Sequence, residues 1–399
     1  SLRIYLDNNA TTPVHPEVLR VLESSLRDVF GNASSIHKEG QAARRVIEDA
    51  REAMGRLIGA APRDIVFTSG GTESNNAAIF GAVAAAGRHH IVTTAIEHPS
   101  VAEAVSELEQ RGCEVTRVAP DRSGEVPAQR VLEALRPETR LVAVMLANNE
   151  TGVVQPVEEI GRVCRERGIH FHCDAVQAAG KIAVSVADLH CDTLALSAHK
   201  LHAPKGAGAL YVRRDLKLAP FTFGGAQERR RRAGTENVPL AAAFGTAAAI
   251  AQDDSWRRPV CAMRDTLEKE MSAAFALTIN GASVRRIPNA DPALLARDRR
   301  WTVARPRLEA AQRRAFACRD LQRAQLHGHR WPDESGAHCP RARAVACRRH
   351  RVAGAGHRAA SIAWRRPAAG DRRGARDART VLPNGESHRR FLWPWRSLP

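Results

Sequence analysis

The sequence predicts an α/β fold, with a mostly parallel sheet and helices on both faces. Three observations carry this prediction. Apolar, strand-like segments alternate with helix-like segments over about the first 250 residues. Polar motifs follow those strands, at the carboxyl ends where ligands of such sheets bind. The length of 399 residues is enough for one large domain and a smaller one.

The predicted elements follow in order along the chain. The short apolar run 65–68 leads into a Gly-rich turn and an Ala-rich helix, and further strands are predicted at 90–94, 141–146, 168–172 and 193–196. Helical patterns cover 127–135 and 156–167. Pro127 is suited to a first helical position, because its missing N–H has no partner there in any case.

Two polar residues follow neighbouring predicted strands. Asp174 ends one strand, and Lys200 lies 26 residues later, in Ser197-Ala198-His199-Lys200. Pyridoxal phosphate needs a lysine for its Schiff base and an acidic partner for its pyridinium nitrogen. Taken alone, a lysine is more often a surface charge, and an aspartate before a helix is more often an N-cap.

Two motifs add candidate groups for the phosphate and the ring. The segment 68–76 joins a strand to a helix, and its small residues, free N–H groups and Thr72 hydroxyl could hold a phosphate. His98, in Ile96-Glu97-His98-Pro99-Ser100, follows a strand and could stack on a planar cofactor. The alternatives are an ordinary helix cap and a structural histidine.

Amides and a basic loop complete the set. The segment 148–152 follows a buried strand and could donate an amide to a ring oxygen, although it also fits an ordinary turn. Gln177 lies three residues after Asp174 and is a second candidate donor. The glycine-hinged basic loop 224–237 is either solvated or part of a phosphate site.

Charge and cysteine content restrict the class of protein. The net charge is +17, but residues 290–399 alone hold 25 Arg, no Lys and 9 acidic residues, so residues 1–289 are close to neutral. The eight cysteines show no paired metal-binding spacing, and no apolar run is long enough to cross a bilayer. The chain opens on a predicted strand without a signal peptide. We therefore expect a cytoplasmic protein without a metal site.

Together these motifs resemble the cysteine desulfurases, fold-type I pyridoxal-phosphate enzymes of the class-V aminotransferase group that serve iron-sulfur cluster assembly. The likeness spans residues 5–13 through 232–237. It implies that Lys200 carries the cofactor and moves protons, that Asp174 keeps the ring nitrogen protonated, and that His98 stacks on the ring and assists proton transfer. It further implies ring-oxygen contacts from Asn149 and Gln177, and phosphate contacts from Gly71, Thr72, Ser197 and His199.

The resemblance also implies a reaction and an assembly. L-Cysteine would be converted to L-alanine, and its sulfur would pass through a persulfide on a loop cysteine to a sulfur acceptor or iron-sulfur scaffold protein. Thr235 would reach the phosphate of a neighbouring subunit, so a homodimer is expected. A related lyase for selenocysteine or cysteine sulfinate, which releases its product without a protein thiol, is the alternative enzyme.

The domain prediction follows the same resemblance. Residues 1–13 form an N-terminal arm, 14–252 the large cofactor-binding domain, and 253–289 the start of a small α/β domain. The remaining segment, 290–399, is predicted to be disordered. The family's Ser-Gly-Ser-Ala-Cys-like loop and its carboxylate-binding arginine are not readable there.

The composition of 290–399 suggests a shifted reading frame. This segment holds five of the six tryptophans and has no sustained apolar period. Codons allowed for residues 296–308, read one nucleotide later, permit Pro-Gly-Ile-Asp-Gly-Gly-Gln-Ser-Leu-Val-Leu-Ala-Leu, which resembles the family's sequence. The same register over 325–339 permits a segment with a cysteine. A non-catalytic protein whose basic tail binds nucleic acid is the alternative.

Overall fold

A seven-stranded sheet forms the centre of the computed structural model, which describes residues 5, 7–83, 89–274, 277–290 and 295–296. The strand order is β1-β7-β6-β5-β4-β2-β3. In chain order, the strands are β1 (Ile65–Thr68), β2 (His90–Thr94), β3 (Glu114–Val118), β4 (Thr139–Met145), β5 (His170–Asp174), β6 (Thr193–Ser197) and β7 (Gly208–Val212).

The sheet is mostly parallel, as predicted. The pairs β3–β2, β2–β4, β4–β5 and β5–β6 are parallel, whereas β7 runs antiparallel to both β6 and β1. β7 is therefore the one reversed strand of this sheet within the described residues. The carboxyl ends of the other six strands meet at one edge.

Helices cover both faces of the sheet. They are α1 (Pro16–Asp28), α2 (Lys38–Ile58), α3 (Gly71–Ala82), α4 (Pro99–Gln110), α5 (Ala128–Glu133), α6 (Val157–Arg167), α7 (Val238–Ile250) and α8 (Arg257–Ala274). Side chains alternate between two cores: Ile91 and Leu141 pack with α3 and α4, whereas Val92 and Val142 face the larger core. Burial on both faces explains why these strands are continuously apolar.

Element bounds differ from the sequence prediction by one or two residues. Gly168 has φ 66 and caps the end of α6, so the strand predicted at 168–172 begins at His170 instead. Pro127 and Pro156 occupy the N-cap positions of α5 and α6, one residue before the first helical residue. The strand predicted at 141–146 begins earlier, at Thr139.

A second, two-stranded sheet follows α8. It pairs β8 (Leu277–Thr278) with β9 (Leu295–Ala296) in antiparallel register. β9 belongs to the segment that starts at residue 290. Apart from Ala290 and these two residues, that segment lies outside the described residues. The predictions of disorder and of a shifted reading frame concern this segment and are therefore not tested by the structure. The domain bounds stay predictions.

Over the described part of the chain, no helix combines the length and apolar character that crossing a bilayer requires. The same residues contain no cluster of His, Cys, Asp and Glu that could hold a metal ion.

Candidate functional site

Asp174 and Lys200 lie at the same edge of the sheet. Asp174 is the last residue of β5, and its register partner on β6 is Ala195. β6 ends at Ser197 and leads directly into a short 3-10 helix, Ala198–Lys200. Because β5 and β6 are parallel, the lysine and the carboxylate come together at their carboxyl ends.

The Asp174 carboxylate is buried, and each of its oxygens accepts one hydrogen bond. Its Oδ2 accepts a bond from Asn75 Nδ2 at 2.7 Å, and its Oδ1 accepts one from the Val176 backbone N–H at 3.0 Å. Burial raises the pKa of Asp174, against these two bonds and the nearby charges of His98 and Lys200. Such a group gains from a cationic N–H partner.

The Lys200 amine lies between the N-terminal arm and Asp174. Its Nζ donates to the backbone carbonyls of Asn9 and Ala10, the latter at 3.0 Å. Burial lowers the pKa of Lys200, and Asp174 opposes that shift. A lowered pKa increases the fraction of neutral amine, the form that attacks a carbonyl carbon.

The N-terminus of α3 points at this edge of the sheet. The helix begins at Gly71, where an added Cβ would come within 2.9 Å of Val176 Cγ2 and 3.4 Å of Ser197 Cβ. Glycine thus lets the helix start approach the ends of β5 and β6. The first N–H groups of a helix have no intrahelical partner, so this position, with Thr72 and Ser197, suits a phosphate.

His98 caps α4, the helix after β2. Its Nδ1 accepts the backbone N–H of Ser100 at 3.1 Å and lies 2.8 Å from Ser100 Oγ. Asn75 Nδ2 donates to the same hydroxyl at 2.8 Å. Asn75 and Ser100 therefore connect His98 to Asp174 through hydrogen bonds.

The N-terminal arm, residues 7–13, contacts Lys200, Gln177 and His199. The Asn9 carbonyl accepts Gln177 Nε2 at 2.8 Å in addition to Lys200 Nζ. His199 Nδ1 lies 3.1 Å from Thr11 Oγ1. Burial and the charge of Lys200 lower the pKa of His199 to about 4. His199 is therefore neutral and suited to hydrogen bonding.

A cavity of about 230 Å³ opens beside Lys200. Its polar lining includes Lys181, His202 and Asn289, and Trp256 supplies an aromatic wall. Lys200 is the one predicted site residue in this lining, whereas Gly71, His98, Asp174 and Ser197 do not line the cavity. The cavity therefore adjoins the lysine and does not mark the predicted phosphate and ring contacts.

The structure brings most of the predicted site residues to one edge. Asn75 and Ser100 join His98 to Asp174, the Asn9 carbonyl joins Gln177 to Lys200, and Gly71 lies against Ser197. His199 precedes Lys200 in the same short 3-10 helix. No hydrogen bond among the described residues joins the side chain of Thr72, Asn149 or Thr235 to these residues, and the role of Thr72 also stays a prediction. Asn148, not Asn149, is the buried amide of its turn, where it accepts the Glu150 and Thr151 backbone N–H groups. The roles of Asn149 and Thr235 stay predictions.

Sequence reasoning missed four polar residues at the site. Asn75, Glu97 and Ser100 lie inside motifs that the sequence singled out, but only their neighbours were assigned. Lys181 is buried, and its Nζ donates to Gln177 Oε1 at 2.6 Å. The available signal was position: all four lie within about two helical turns of a predicted strand end.

The Glu97 and Lys181 side chains have strongly shifted pKa values. Glu97 Oε1 accepts Thr94 Oγ1 at 2.6 Å and the Met145 N–H at 3.0 Å, while its buried Oε2 has no partner among the described residues. Burial raises the pKa of Glu97 to about 8. Burial, together with the charge of Lys200, lowers the pKa of Lys181 to about 7.

Comparison with known proteins adds independent evidence. The family model described as "Aminotransferase class-V" matches residues 4–282. "Cysteine desulfurase 2" of Trichormus variabilis is 46% identical over 291 residues, covering 72% of this chain and 73% of the relative. "Cysteine desulfurase IscS" of Anaeromyxobacter dehalogenans is 46% identical over 294 residues, covering 71% and 72%.

Solved structures give the same answer for the fold. A structure titled "SspA in complex with cysteine" matches with a TM-score of 0.66 and 38% identity, over 71% of this chain and 81% of that one. A NifS-like protein from Rickettsia africae matches with a TM-score of 0.66 and 31% identity, over 72% and 80%.

Proposed function

The chain belongs to the cysteine desulfurases of the class-V aminotransferase family, and from this premise we propose that it binds pyridoxal phosphate and removes the sulfur of L-cysteine, leaving L-alanine. The observation that carries the proposal is the pair formed by Asp174 and Lys200 at the ends of adjacent parallel strands. The homodimer, the cytoplasmic location and the delivery of sulfur to a scaffold protein belong to the same proposal.

The residues present fit the proposed cofactor. The buried Asp174 carboxylate is placed to accept a pyridinium N–H, and the start of α3 with Ser197 offers donors to a phosphate. Gln177 Nε2 is a donor for a ring oxygen, because Lys181 occupies its Oε1. When bound, pyridoxal phosphate withdraws electrons from the α-carbon of an attached amino acid.

The chain's own groups then have definite tasks. Lys200 Nζ, with its lowered pKa, attaches the cofactor and exchanges protons beside it. The Asp174 carboxylate holds a proton on the ring nitrogen. The arm residues Asn9 and Ala10 accept the Lys200 N–H groups and keep the amine at this edge.

Persulfide formation needs a thiolate, and we propose that the described cysteines do not supply it. Burial raises the pKa of Cys164 and of Cys191 to about 12 and that of Cys173 well above its usual range. Cys113 and Cys261 are half-buried, and Cys113 also has a raised pKa. Protonated thiols are poor nucleophiles. Cys318, Cys339 and Cys347 lie outside the described residues, and none of them stands in a Ser-Gly-Ser-Ala-Cys-like sequence. We therefore propose that this chain binds cofactor and cysteine but is impaired in persulfide formation.

The test is an absorbance spectrum of the purified full-length chain with pyridoxal phosphate, before and after L-cysteine is added. We expect a visible band that Lys200→Ala abolishes and that the exposed control Lys217→Ala retains. Cysteine should change the band without catalytic release of alanine. A band that survives in Lys200→Ala would contradict the assignment of the lysine.

Product analysis separates the alternatives. Turnover of selenocysteine or cysteine sulfinate without a protein persulfide would favour a lyase, whereas catalytic alanine release with a persulfide would contradict the proposed impairment. Sequencing the DNA across codons 285–330 tests the shifted reading frame directly. A clean in-frame reading in several independent clones would exclude that frame shift.

A further inference from the structure

A buried chain of hydrogen bonds lies behind His98 and Asp174. It runs from His170 through Thr193, His172 and Asn75 to Ser100, and each link is between 2.7 and 2.9 Å long. Apart from Asp174 and His98, its members have no role assigned in the proposed function. The chemistry of donors and acceptors fixes the direction of every link.

Asn75 sets the direction, because its amide has distinct ends. When Asp174 is ionised, its carboxylate only accepts hydrogen bonds, so the amide nitrogen faces Asp174 Oδ2, at 2.7 Å. The same nitrogen donates its second hydrogen to Ser100 Oγ at 2.8 Å. Asn75 Oδ1 therefore faces His172 Nε2 at 2.9 Å, which must carry a hydrogen.

The far end of the chain takes its direction from His172. Since His172 carries its hydrogen on Nε2, its Nδ1 accepts from Thr193 Oγ1 at 2.9 Å, and Thr193 in turn accepts from His170 Nε2 at 2.9 Å. Burial lowers the pKa of His172 to about 3 and that of His170 to about 4. Both rings are neutral near pH 7, so the order of donors is not reversed by a proton from this end.

Ser100 passes the direction to His98. Its oxygen accepts the Asn75 N–H, so its single hydroxyl hydrogen is available for His98 Nδ1, 2.8 Å away. The Ser100 backbone N–H donates to the same nitrogen at 3.1 Å. With two donors aimed at Nδ1, a neutral imidazole has its hydrogen on Nε2.

We propose that Asn75 and Ser100 are positioning residues that hold the neutral ring of His98 with its hydrogen on Nε2, which makes His98 a hydrogen-bond donor to the bound substrate rather than a base at that nitrogen. For Nε2 to be free to take up a proton, the ring hydrogen would have to lie on Nδ1. There it would meet the Ser100 backbone N–H, which cannot accept it, and it would turn the Ser100 hydroxyl hydrogen toward Asn75 Nδ2, which cannot accept it either. The backbone N–H of Ser100 supports the tautomer independently of Asp174. The use of the tautomer toward a substrate rests on the proposed function.

Nitrogen NMR of the full-length chain labelled with ¹⁵N-histidine tests the tautomer without cofactor. Comparison with His98→Gln identifies the His98 signals, and two-bond proton-nitrogen correlations show which nitrogen is protonated. We expect an N–H at Nε2 and a bare nitrogen at Nδ1. A hydrogen on Nδ1 in the unmodified chain would overturn the inference, whatever the variants do.

Variants of Ser100 test the cause. Ser100→Ala removes the hydroxyl donor and should raise the minor Nδ1–H tautomer about tenfold, the effect of losing one hydrogen bond. Ser100→Thr retains a hydroxyl and should restore the original ratio. Ser106→Ala, on the same helix, is the matched control. An unchanged ratio in folded Ser100→Ala would remove Ser100 from the proposal.

The outcome is separable from that of the proposed function. An Nε2–H tautomer in a chain that shows no visible band with pyridoxal phosphate would contradict the proposed function and leave the positioning role intact. An Nδ1–H tautomer in a chain that binds the cofactor would contradict the positioning role and leave the proposed function intact.

Discussion

The two sides of Asp174 are built differently. On the side of α3 and α4, Asn75, Ser100, His172 and Thr193 are neutral and hydrogen-bonded to one another. On the side of the N-terminal arm, the amines of Lys181 and Lys200 are bonded only to amide and carbonyl oxygens. No ion pair joins either amine to a carboxylate in the described part of the chain.

The difference indicates on which side of Asp174 the stability depends on a ligand. A polar network whose members satisfy one another stabilises and rigidifies the fold by itself. Buried amines without a bonded carboxylate are costly, and they attract an anion from solution. The hydrogen bonds of the network side are therefore complete without a ligand, whereas an anionic cofactor, if bound, would stabilise the arm side.

The largest expected effect is a loss of stability in acid, which arises from the histidines of the network side. The pKa values of His170 and His172, about 4 and about 3, lie below the ordinary value of 6.5. Their stabilisation is therefore complete above pH 6.5 and is lost as the pH falls toward 4. Each ring should lower the free energy of unfolding by about 1.4 kcal/mol per pH unit at most within that window.

Urea denaturation at pH 7, 6 and 5 measures this loss. The matched variant is His170→Gln, whose amide can still donate to Thr193 but does not titrate. Its stability should depend less steeply on pH than that of the unmodified chain. Equal slopes for the two proteins would show that His170 is not held neutral by the fold.

On the arm side, stability is expected to increase in alkali because of Lys181. The pKa of Lys181, about 7, lies below the ordinary value of 10.5. The unfolded chain therefore binds the extra proton between pH 7 and 10.5, and stability rises with pH in that window, by about 1.4 kcal/mol per unit at most. Lys181→Met should lose this rise, and the exposed Lys217→Met should keep it.

Denaturation curves at pH 6.5 and 9 compare these proteins. Because acid destabilises the network side and alkali relieves the arm side, the two effects occur in separate pH windows. A Lys181→Met protein with the same rise as the unmodified chain would show that this amine is charged when folded.

Glu97 gives an effect whose dependence on pH is opposite to that of Lys181. Its raised pKa, about 8, means that the folded chain keeps a proton that the unfolded chain releases near pH 4.5. That stabilisation is present below pH 4.5 and is lost as the pH rises toward 8. Glu97→Gln resembles the protonated acid and should be more stable than the unmodified chain at pH 8.5, by at most about 1.4 kcal/mol for each pH unit between 4.5 and 8.

Thermal melting at pH 5 and 8.5 checks this prediction. The advantage of Glu97→Gln should be present at pH 8.5 and small at pH 5. A larger advantage at pH 5 would contradict it, since Glu97 of the unmodified chain is then protonated when folded and resembles the glutamine of the variant.

Local patterns were sufficient to predict the α/β class, most strand positions and the places of Asp174 and Lys200 after strands, whereas the role of the pair came from the family resemblance. Each of these depends on an apolar run followed at once by a polar residue, which is a property of neighbouring positions. The links through Asn75 and Ser100 were not predictable in this way. Asn75 and His172 are 97 positions apart, and their contact exists only after α3 has packed on β5.

The N-terminal arm shows the same limit more strongly. The Asn9 carbonyl accepts Lys200 Nζ across 191 positions. No periodicity in residues 7–13 distinguishes a site component from an ordinary polar terminus. The same sequence reading assigned Asn149 and Thr235 by resemblance alone, and their roles still depend on experiment.

The arm's contacts also determine when this part of the fold can form during synthesis of the chain. Thr12 binds His199, and Asn9 binds Lys200, across 187 and 191 positions. A ribosome adds about 5–20 residues per second, so the arm waits roughly 10–40 seconds for its partners to be made. Throughout that interval its polar groups are bonded to water. The edge of the sheet that holds Lys200 is therefore completed well after β2, β3 and β4 can pair.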